Sequence, residues 1–346
     1  MKIGDRTIGP GQPPYIIAEI GVNHDGSIDR ALELVDAAAH AGADAVKFQY
    51  FKTDLLLSHA AAPAEYQRRA GEQDPFSMLR RLELSAEGLR RAAARARERG
   101  LHAIVTVFSV PLVPVAAEIG FDAYKTASPD IINRPLLDAL AATGSPLIVS
   151  TGASTMNEVH RAVEWLDGAR NRLALLQCVS CYPTLAEDVE LGGVGALHQA
   201  TGFTVGYSDH TTGIDTGALA VRAGASILEK HLTRDREARG PDHAASLDAD
   251  QLAEYVRLAR DAAREPAAPA DRVKRMLACE ADVRLVARQS LVTTRAIRAD
   301  QRLTASDIAI KRPGTGLEPW QLGQTIGRQT ARAIEADVPI REEDLV

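Results

Sequence analysis

The stretch Ala41-Gly-Ala-Asp-Ala-Val-Lys-Phe-Gln49 joins a helix-length segment to a short apolar run at residues 45–49. In residues 32–39, just before it, apolar side chains recur at helical spacing. Within the run, Lys47 and Gln49 are two residues apart, so their side chains point to the same face of a strand. A helix that leads directly into a strand is typical of parallel βαβ proteins.

Similar apolar runs recur along the chain, most of them separated by helix-length segments. The eight runs are Tyr15–Ile20, Ala45–Gln49, Ala103–Phe108, Ala123–Ala127, Pro146–Ser150, Leu173–Cys178, Phe203–Tyr207 and Ser226–Lys230. Eight strands that alternate with helices are typical of a (β/α)8 TIM barrel. A doubly wound open sheet is the alternative, but its first turn is usually Gly-rich, and Gly-Val-Asn-His-Asp-Gly at residues 21–26 does not match G-x-G-x-x-G. The sequence therefore predicts an α/β protein with a TIM barrel.

The sequence changes in character beyond the eighth run. Asp248–Arg264 has a helical pattern, Glu265–Asp271 is rich in Pro and Ala like a linker, and a short helical stretch is expected up to about Asp282. The segments Arg295–Ile308 and Arg332–Leu345 then share Arg, Ala, Ile, Ala, Asp and Asp at equal offsets, which indicates a small pseudo-symmetric β-rich domain. The predicted division is a catalytic barrel at 1–264, a linker at 265–284 and the small domain at 285–346.

Composition argues against several classes of protein. The net charge is −6 and the basic stretch Arg90–Arg99 is interleaved with Ala, so no nucleic-acid partner is expected. Neither a signal peptide nor an apolar run of about 18 residues is visible, so we expect no membrane association and a cytoplasmic location. Cys178 and Cys181 form a C-x-x-C that leads into Pro183 rather than a helix. We expect a buried Cys178, and neither a redox motif nor a zinc site.

Polar side chains recur at the carboxyl ends of the predicted strands, where a TIM barrel builds its active site. They occur at seven of the eight predicted strands. The residues are Glu19, Lys47, Gln49, Thr106, Lys125, Ser128, Ser180, Tyr182, Ser208, His210, Glu229 and His231. An unpartnered buried polar group costs a few kcal/mol, so such a concentration indicates a binding site rather than a stabilising feature.

The residue types indicate the chemistry of this site. Lys47 and Lys125, with the nearby hydroxyls and Gln49, suit a small dense anion such as a phosphate or a carboxylate. His210 and His231 supply two imidazoles from adjacent strands, which suits Mn²⁺ or Mg²⁺ with positions open to water or substrate. The two glutamates are candidate general acids or bases. Taken singly, such residues are more often salt-bridge partners or core histidines, so the prediction depends on their combination.

Nine stretches match a known family in the expected order over nearly the whole chain. They are Ile17–Gly26, Ala41–Gln49, Ala123–Ser128, Ser150–Gly152, Tyr182–Thr184, Gly206–Thr211, Ile227–His231, Gly240–His243 and Lys311–Gly314. With them, the sequence resembles the sialic acid (N-acetylneuraminate) synthases, whose barrel is followed by an antifreeze-like (SAF) domain of the β-clip type. The third strand departs from the family's usual Ser-Thr-Pro-Phe-Asp, since residues 105–109 read Val-Thr-Val-Phe-Ser.

The resemblance implies roles for the strand-end residues and for two residues beyond them. Phosphoenolpyruvate contacts are implied for Lys47, Thr106, Lys125, Ser128, Ser180 and Ser208. Sugar contacts are implied for Gln49, Tyr182, Asp242 and Arg312, metal ligation for His210 and His231, and catalytic roles for Glu19, Glu229 and His231. A domain-swapped homodimer is also implied, in which the small domain of one subunit covers the other's barrel and Arg312 reaches the N-acyl group of the sugar.

The implied activity is condensation of phosphoenolpyruvate with an N-acetylmannosamine-type sugar to give a nonulosonic (sialic) acid and phosphate, with Mn²⁺ or Mg²⁺ as cofactor. One alternative is a legionaminate or pseudaminate synthase that uses a 2,4-diacetamido-trideoxyhexose. Another is a different phosphoenolpyruvate-dependent keto-acid sugar synthase, which the C-terminal repeat disfavours. A non-catalytic carbohydrate-binding protein is disfavoured by the charged strand-end residues. Segment 59–75 is expected to help select the sugar.

Overall fold

The computed structural model describes residues 1–266 and 272–346. A short antiparallel hairpin comes first, formed by β1 (Lys2–Ile3) and β2 (Arg6–Thr7). The barrel strands follow: β3 (Tyr15–Glu19), β4 (Ala45–Tyr50), β5 (His102–Val107), β6 (Ala123–Thr126), β7 (Leu147–Ser150), β8 (Leu173–Cys178), β9 (Thr204–Asp209) and β10 (Ile227–His231). They pair in parallel in sequence order, and β10 closes on β3. The predicted TIM barrel is therefore confirmed, with strand ends shifted by at most two residues.

Helices alternate with the barrel strands and cover their outward faces, apart from the three that directly follow β4, which lie beside the pocket. They are α1 (Ile28–His40), α2 (Thr53–Leu56), α3 (Glu65–Arg69), α4 (Pro75–Leu82), α5 (Ala86–Glu98), α6 (Val113–Ile119), α7 (Arg134–Ala142), α8 (Met156–Trp165), α9 (Gly192–Thr201), α10 (Thr216–Arg222) and α11 (Ala249–Ala262). Side chains of Ser27, Ser85, Thr155 and Asp248 accept backbone N–H groups at the starts of α1, α5, α8 and α11. These caps fix where the four helices begin. No helix in the described ranges is long and apolar enough to cross a lipid bilayer.

Side chains on each barrel strand alternate between the barrel interior and the surrounding helices. On β10, Ile227 belongs to the apolar layer inside the barrel, Leu228 packs among the helices, and Glu229 and His231 line the pocket at the carboxyl end. All of the barrel strands except β9 contribute buried apolar residues to the interior cluster, and the residues that line the pocket follow toward the strand ends. The alternation therefore delivers the polar side chains to one end of the barrel.

The N-terminal hairpin closes the opposite end of the barrel. Ile3 and Ile8 are 0% and 1% exposed, and they pack in one cluster with Tyr15, Ile17 and Ile227 of the barrel interior. This apolar cluster fills the amino-terminal end of the barrel interior, opposite the polar strand ends.

The C-terminal domain is built on the predicted repeat. Its strands β11 (Ser290–Thr293) and β12 (Ile308–Lys311) pair antiparallel. Ile297 of the first copy of the repeat pairs with the equivalent Ile334 of the second, and both lie in the core of the domain. A pseudo-symmetric β-rich domain was predicted, and the structure has one.

The segment between the two domains differs in part from the prediction. Residues 267–271, within the predicted linker 265–284, lie outside the described residues. The helical stretch expected to end near Asp282 instead starts there: a 3-10 turn leads into α12 (Ala281–Ala287). The helix continues because Val283, Val286 and Ala287, at helical spacing, face the barrel pocket. A last short helix, α13 (Leu322–Thr325), lies in the C-terminal domain.

The cysteines are arranged in a way that the C-x-x-C pattern did not suggest. Cys178 is free and buried, as predicted. Cys181 forms a disulfide bond with Cys279, which is 98 residues away in the segment before α12. The bond therefore joins the loop after β8 to the segment that leads into the C-terminal domain.

Candidate active site

The structure brings all of the predicted site residues together in one pocket at the carboxyl end of the barrel. The pocket is lined by Glu19, Lys47, Gln49, Thr106, Lys125, Ser128, Ser180, Tyr182, Ser208, His210, Glu229, His231, Asp242 and Arg312. They come from seven barrel strands or the loops after them, and from the C-terminal domain. Their shared location was predicted from the sequence, and the role of each stays a prediction.

Four alternating charges form the floor of the pocket. Lys47 is ion-paired with Glu19, and its Nζ lies 3.7 Å from a carboxylate oxygen of Glu229. Lys125 Nζ lies 3.1 Å from the other oxygen of Glu229. All four residues are at most 4% exposed. Such burial is tolerable because each charge lies beside one of opposite sign.

The two glutamates differ in their electrostatic surroundings. Burial raises the pKa of Glu19 above its ordinary value, although the Lys47 ammonium opposes that shift. Burial acts on Glu229 in the same direction, but Lys125 and Lys47 outweigh it and hold the pKa of Glu229 below its ordinary value. Two neighbouring carboxyl groups whose pKa values move in opposite directions are typical of an acid and base pair.

Hydroxyl groups surround the lysines. Lys47 Nζ donates to Thr106 Oγ1 at 3.0 Å, and Lys125 Nζ donates to Ser150 Oγ at 3.2 Å. Ser180 Oγ is buried without a hydrogen-bond partner in the described part of the chain. A partnerless buried hydroxyl among ammonium groups is expected to bind a ligand, because leaving it unsatisfied costs free energy.

The two histidines are suited to bind one metal ion. His210 Nδ1 donates to the carbonyl of Val179 at 2.8 Å, which leaves its Nε2 with a free lone pair. His231 Nδ1 is buried with no hydrogen-bond partner among the described residues, and the two rings are 5.6 Å apart. Burial holds the pKa of His231 well below its usual range, so its imidazole is neutral. Within residues 1–266 and 272–346, no three His, Cys, Asp or Glu side chains form a ligand cluster.

One wall of the pocket is apolar and aromatic. Tyr182 stacks on Tyr66 with ring centroids 4.9 Å apart, and its other neighbour is the ring of His210 at 4.1 Å. A buried cluster next to these rings also lines the pocket: Val22, Phe51, Leu56, Leu57, Met78, Leu79, Leu82 and Phe108.

The C-terminal domain completes the pocket of its own chain. Arg312 N donates to Leu56 O at 2.8 Å, and Arg312 O accepts from Ser58 N at 3.0 Å. These two backbone hydrogen bonds form a seam between the domains. They hold Arg312 so that its guanidinium lies over the ring of Phe108, 5.6 Å from the ring centroid. Arg312 Nε is buried without a hydrogen-bond partner among the described residues. The closed arrangement thus forms within one chain, and the swapped homodimer stays a prediction.

The pocket also contains residues that the sequence prediction missed. Ser150 ends β7, so the strand-end rule, applied to the fifth barrel strand, would have found it. Tyr66 and Gln67 come from α3, within segment 59–75, where no strand end or periodic pattern marks them. α3 thus lines the pocket, and the expectation that segment 59–75 helps select the sugar stays a prediction.

Asp130, in the 3-10 turn after β6, is a buried carboxyl group close to the pocket. Burial raises its pKa to about 7, although the charge of Arg312 opposes that shift, and its Oδ2 has no hydrogen-bond partner in the described part of the chain. The folded protein therefore keeps this proton between about pH 4 and 7, where the unfolded chain has lost it, and its stability falls as the pH rises through that window.

We therefore expect Asp130→Asn, which carries no charge at any pH, to raise the free energy of unfolding at pH 8 by on the order of 2 kcal/mol. Near pH 4 most of the gain should vanish, because the folded carboxyl group is then protonated and the unfolded one is only about half ionised. Urea denaturation at the two pH values measures this difference. An equal effect at both would contradict the assignment.

Two family models match this chain, one over most of the barrel and one over the C-terminal domain. A model of the NeuB family matches residues 34–267, and a model of the SAF domain matches residues 288–346. The N,N'-diacetyllegionaminic acid synthase of Legionella pneumophila is 34% identical over 349 residues, which cover 99% of this chain and 97% of that protein. The N-acetylneuraminate-9-phosphate synthase of Homo sapiens is 30% identical over 341 residues, which cover 98% and 94%.

A solved structure agrees over both domains. The crystal structure of the spore coat polysaccharide biosynthesis protein SpsE from Bacillus subtilis superposes with a TM-score of 0.86 at 31% identity, and covers 100% of this chain and 99% of that one. The match spans the barrel and the C-terminal domain together, so it supports their relative placement as well as the fold of each.

Proposed function

Because this chain belongs to the NeuB family and has its SAF domain, we propose that it is an enzyme that condenses phosphoenolpyruvate with an N-acetylmannosamine-type sugar. The products would be a nonulosonic (sialic) acid and inorganic phosphate. The observation that supports this most strongly is the convergence of an anion site, two neutralised carboxylates and two imidazoles on one pocket under Arg312. Relatives named as synthases of N-acetylneuraminate 9-phosphate and N,N'-diacetyllegionaminic acid support the same class of reaction.

Phosphoenolpyruvate is assigned to the floor of the pocket. Lys47 and Lys125 would neutralise its phosphate and carboxylate, and the side chains of Thr106, Ser128, Ser150, Ser180 and Ser208 would donate hydrogen bonds. Charge-assisted hydrogen bonds of this kind are the strong ones in anion recognition. The partnerless Ser180 Oγ would gain an acceptor when this substrate binds.

The sugar is assigned to the side of the pocket under the C-terminal domain. Gln49, whose Nε2 donates to Glu19 Oε1 at 3.1 Å, and Asp242 would bind hydroxyl groups. The ring of Tyr182 would pack against the carbon chain, and the Arg312 guanidinium would bind the N-acyl carbonyl. His210 and His231 would hold Mn²⁺ or Mg²⁺, which supplies a Lewis acid for the sugar aldehyde.

The residues of the pocket then account for the steps of the reaction. The C3 carbon of phosphoenolpyruvate attacks the aldehyde carbon, and positive charge develops at C2. Glu229, ionised between the two lysines, would stabilise that charge and take a proton from the water that adds there. Glu19 would supply a proton to the new alkoxide. As the C–O bond at C2 breaks, the C2 hydroxyl group would give its proton to the departing phosphate, which leaves the C2 ketone and hydrogen phosphate that the lysines bind.

The apolar wall favours a second candidate for the acceptor. A 2,4-diacetamido-trideoxyhexose has a methyl group at C6, and the cluster around Leu56, Met78 and Leu79 offers such a group an apolar surface. This choice would make the enzyme a legionaminate or pseudaminate synthase.

The experiment that tests the function offers N-acetylmannosamine, its 6-phosphate and the diacetamido sugars in parallel. It measures phosphate release from phosphoenolpyruvate with Mn²⁺. Release that depends on one sugar would support the proposal and identify the acceptor. Absence of release with every sugar, from folded protein that binds Mn²⁺, would contradict it.

Two further proposals concern the assembly and location of the protein. We propose a homodimer in which the C-terminal domain can cover the partner's barrel with the same seam that it forms here with its own. We also propose a cytoplasmic location, where phosphoenolpyruvate is made. In that reducing compartment the Cys181–Cys279 bond would be open to reduction.

The metal assignment leads to a prediction for His231. We expect His231→Ala to lose the stimulation of turnover by divalent ions and to bind Mn²⁺ at least tenfold more weakly, because one of two protein ligands is removed. The signal of free Mn²⁺ in electron paramagnetic resonance measures the binding without substrate. His160→Ala, an exposed change on α8, is the control. Wild-type Mn²⁺ affinity in His231→Ala would show that the ion binds elsewhere.

A further inference from the structure

One buried side chain of the interdomain segment connects two loops of the pocket. Glu280 is 1% exposed and lies in the 3-10 turn before α12. Its Oε1 accepts the backbone N–H of Ala153 at 2.6 Å and that of Ser180 at 2.8 Å. Its Oε2 accepts the backbone N–H of Leu277 at 2.8 Å. A single carboxylate thus joins the loop after β7 and the loop after β8 to the segment before the C-terminal domain.

These two loops form the hydroxyl side of the anion site. Gly152 N donates to Ser128 Oγ at 3.0 Å. A Cβ at Gly152 would lie 2.4 Å from Ser180 Oγ and 2.8 Å from Ser128 Oγ, so the loops approach as closely as a glycine permits. A small displacement of either loop would separate the hydroxyl groups that face the anion.

The residues next to this contact are joined covalently. Cys181 follows Ser180, Cys279 precedes Glu280, and the two cysteines form the disulfide bond. Arg284 Nη1 donates to Ala153 O at 2.6 Å, and its Nη2 donates to Glu158 Oε1 at 2.7 Å. The disulfide bond therefore holds the segment around Glu280 against the loop after β8, and Arg284 holds it against the loop after β7.

We propose that Glu280 is a positioning residue for phosphoenolpyruvate and that the Cys181–Cys279 bond keeps its carboxylate in place. A buried carboxylate is costly unless donors are directed at it, and those directed at Glu280 Oε1 are the backbone N–H groups of the two binding loops. The inference rests on the proposed function, because it assumes that the anion between these loops is phosphoenolpyruvate. Glu280 acts through the loops and does not itself face the pocket.

The first test is Glu280→Gln, with phosphoenolpyruvate binding measured by calorimetry in the absence of sugar. The amide keeps the size of the side chain, but it loses the charge and turns an NH2 group toward the N–H of Leu277. We expect the Kd for phosphoenolpyruvate to rise about tenfold, as for the loss of hydrogen bonds to a charged group. The KM for the sugar and the melting temperature should change little. Glu318→Gln is the matched control, because Glu318 also bridges the two domains, through Arg161 at 3.3 Å, and touches neither loop.

The second test uses the wild-type chain and reduces its disulfide bond with dithiothreitol. Two electrons pass to the S–S bond, Cys181 and Cys279 each gain a proton, and the reagent closes into its cyclic disulfide. Reduced protein should bind phosphoenolpyruvate about threefold more weakly. Cys279→Ser should have the reduced protein's affinity and show no response to the reagent. This arm needs no change at Glu280, so it still decides the question if Glu280→Gln fails to fold.

The outcomes separate this inference from the proposed function. If wild-type protein binds no phosphoenolpyruvate, the proposed function itself fails. If wild-type protein binds it and neither Glu280→Gln nor reduction weakens that binding, the positioning role is wrong. Equal increases in the sugar and phosphoenolpyruvate constants, or a lowered melting temperature with unchanged binding, would likewise overturn it, because they indicate a general structural role.

Discussion

Glu229→Gln should lower kcat about a thousandfold while phosphoenolpyruvate binds as tightly as before, or more tightly. The carboxylate lies between Lys125 and Lys47, at 3.1 and 3.7 Å, so with phosphoenolpyruvate bound as proposed it would lie beside the carbon that becomes positive. The amide keeps the volume but can neither stabilise that charge nor accept a proton, and general-base groups contribute about a hundred- to ten-thousandfold. The two lysines lose one negative neighbour, which favours an incoming anion.

Phosphate release gives kcat, and calorimetry gives the affinity for phosphoenolpyruvate. Glu254→Gln, on the exposed face of α11, should leave both unchanged. A variant at Glu229 that turns over at more than a tenth of the wild-type rate would remove this residue from the catalytic set. Weakened phosphoenolpyruvate binding with a normal kcat would assign it to substrate binding instead.

Arg312→Ala should raise the KM for the sugar about a hundredfold and change the KM for phosphoenolpyruvate less than threefold, as expected when hydrogen bonds to a charged group are lost. The seam between Arg312 and residues 56–58 uses backbone atoms, so the alanine variant can keep the C-terminal domain in place. Only the guanidinium is then removed from the acceptor side. The difference between the two constants reports where that group acts.

Steady-state kinetics with each substrate varied in turn measures the two constants. Arg298→Ala, an exposed change in the same domain, is the control. An equal rise in both constants would mean that the domain has shifted as a body, and an unchanged sugar KM would place the N-acyl group elsewhere.

The barrel could be predicted because its signals are local. The run at residues 45–49 and its counterparts are apolar, short and separated by helices, and each became a strand. Because side chains on a strand alternate with a period of two residues, the predicted strands also indicated which side chains face inward and form the site. Glu229 and His231 share a face of β10 for the same reason that Lys47 and Gln49 share one of β4.

Features that depend on distant parts of the chain escaped prediction. The pairing of Cys181 with Cys279 cannot be deduced from spacing, because any two of three cysteines could pair. Tyr66 belongs to a five-residue helix, α3, too short for a periodic pattern. Glu280 looks like a solvated charge in the sequence, and only the fold shows that it is buried against the loop after β8.

The Cys181–Cys279 bond also determines which parts of the protein stay covalently joined after it unfolds. Within one chain it forms a covalent ring that contains β9, β10 and α11 together with residues 181–279. If the C-terminal domain and the segment with Cys279 instead pack on a partner's barrel, the same two sulfur atoms belong to different chains, and the dimer becomes a single covalent molecule. Denatured, unreduced protein therefore keeps the topology of the folded state, at monomer mass or at twice that mass.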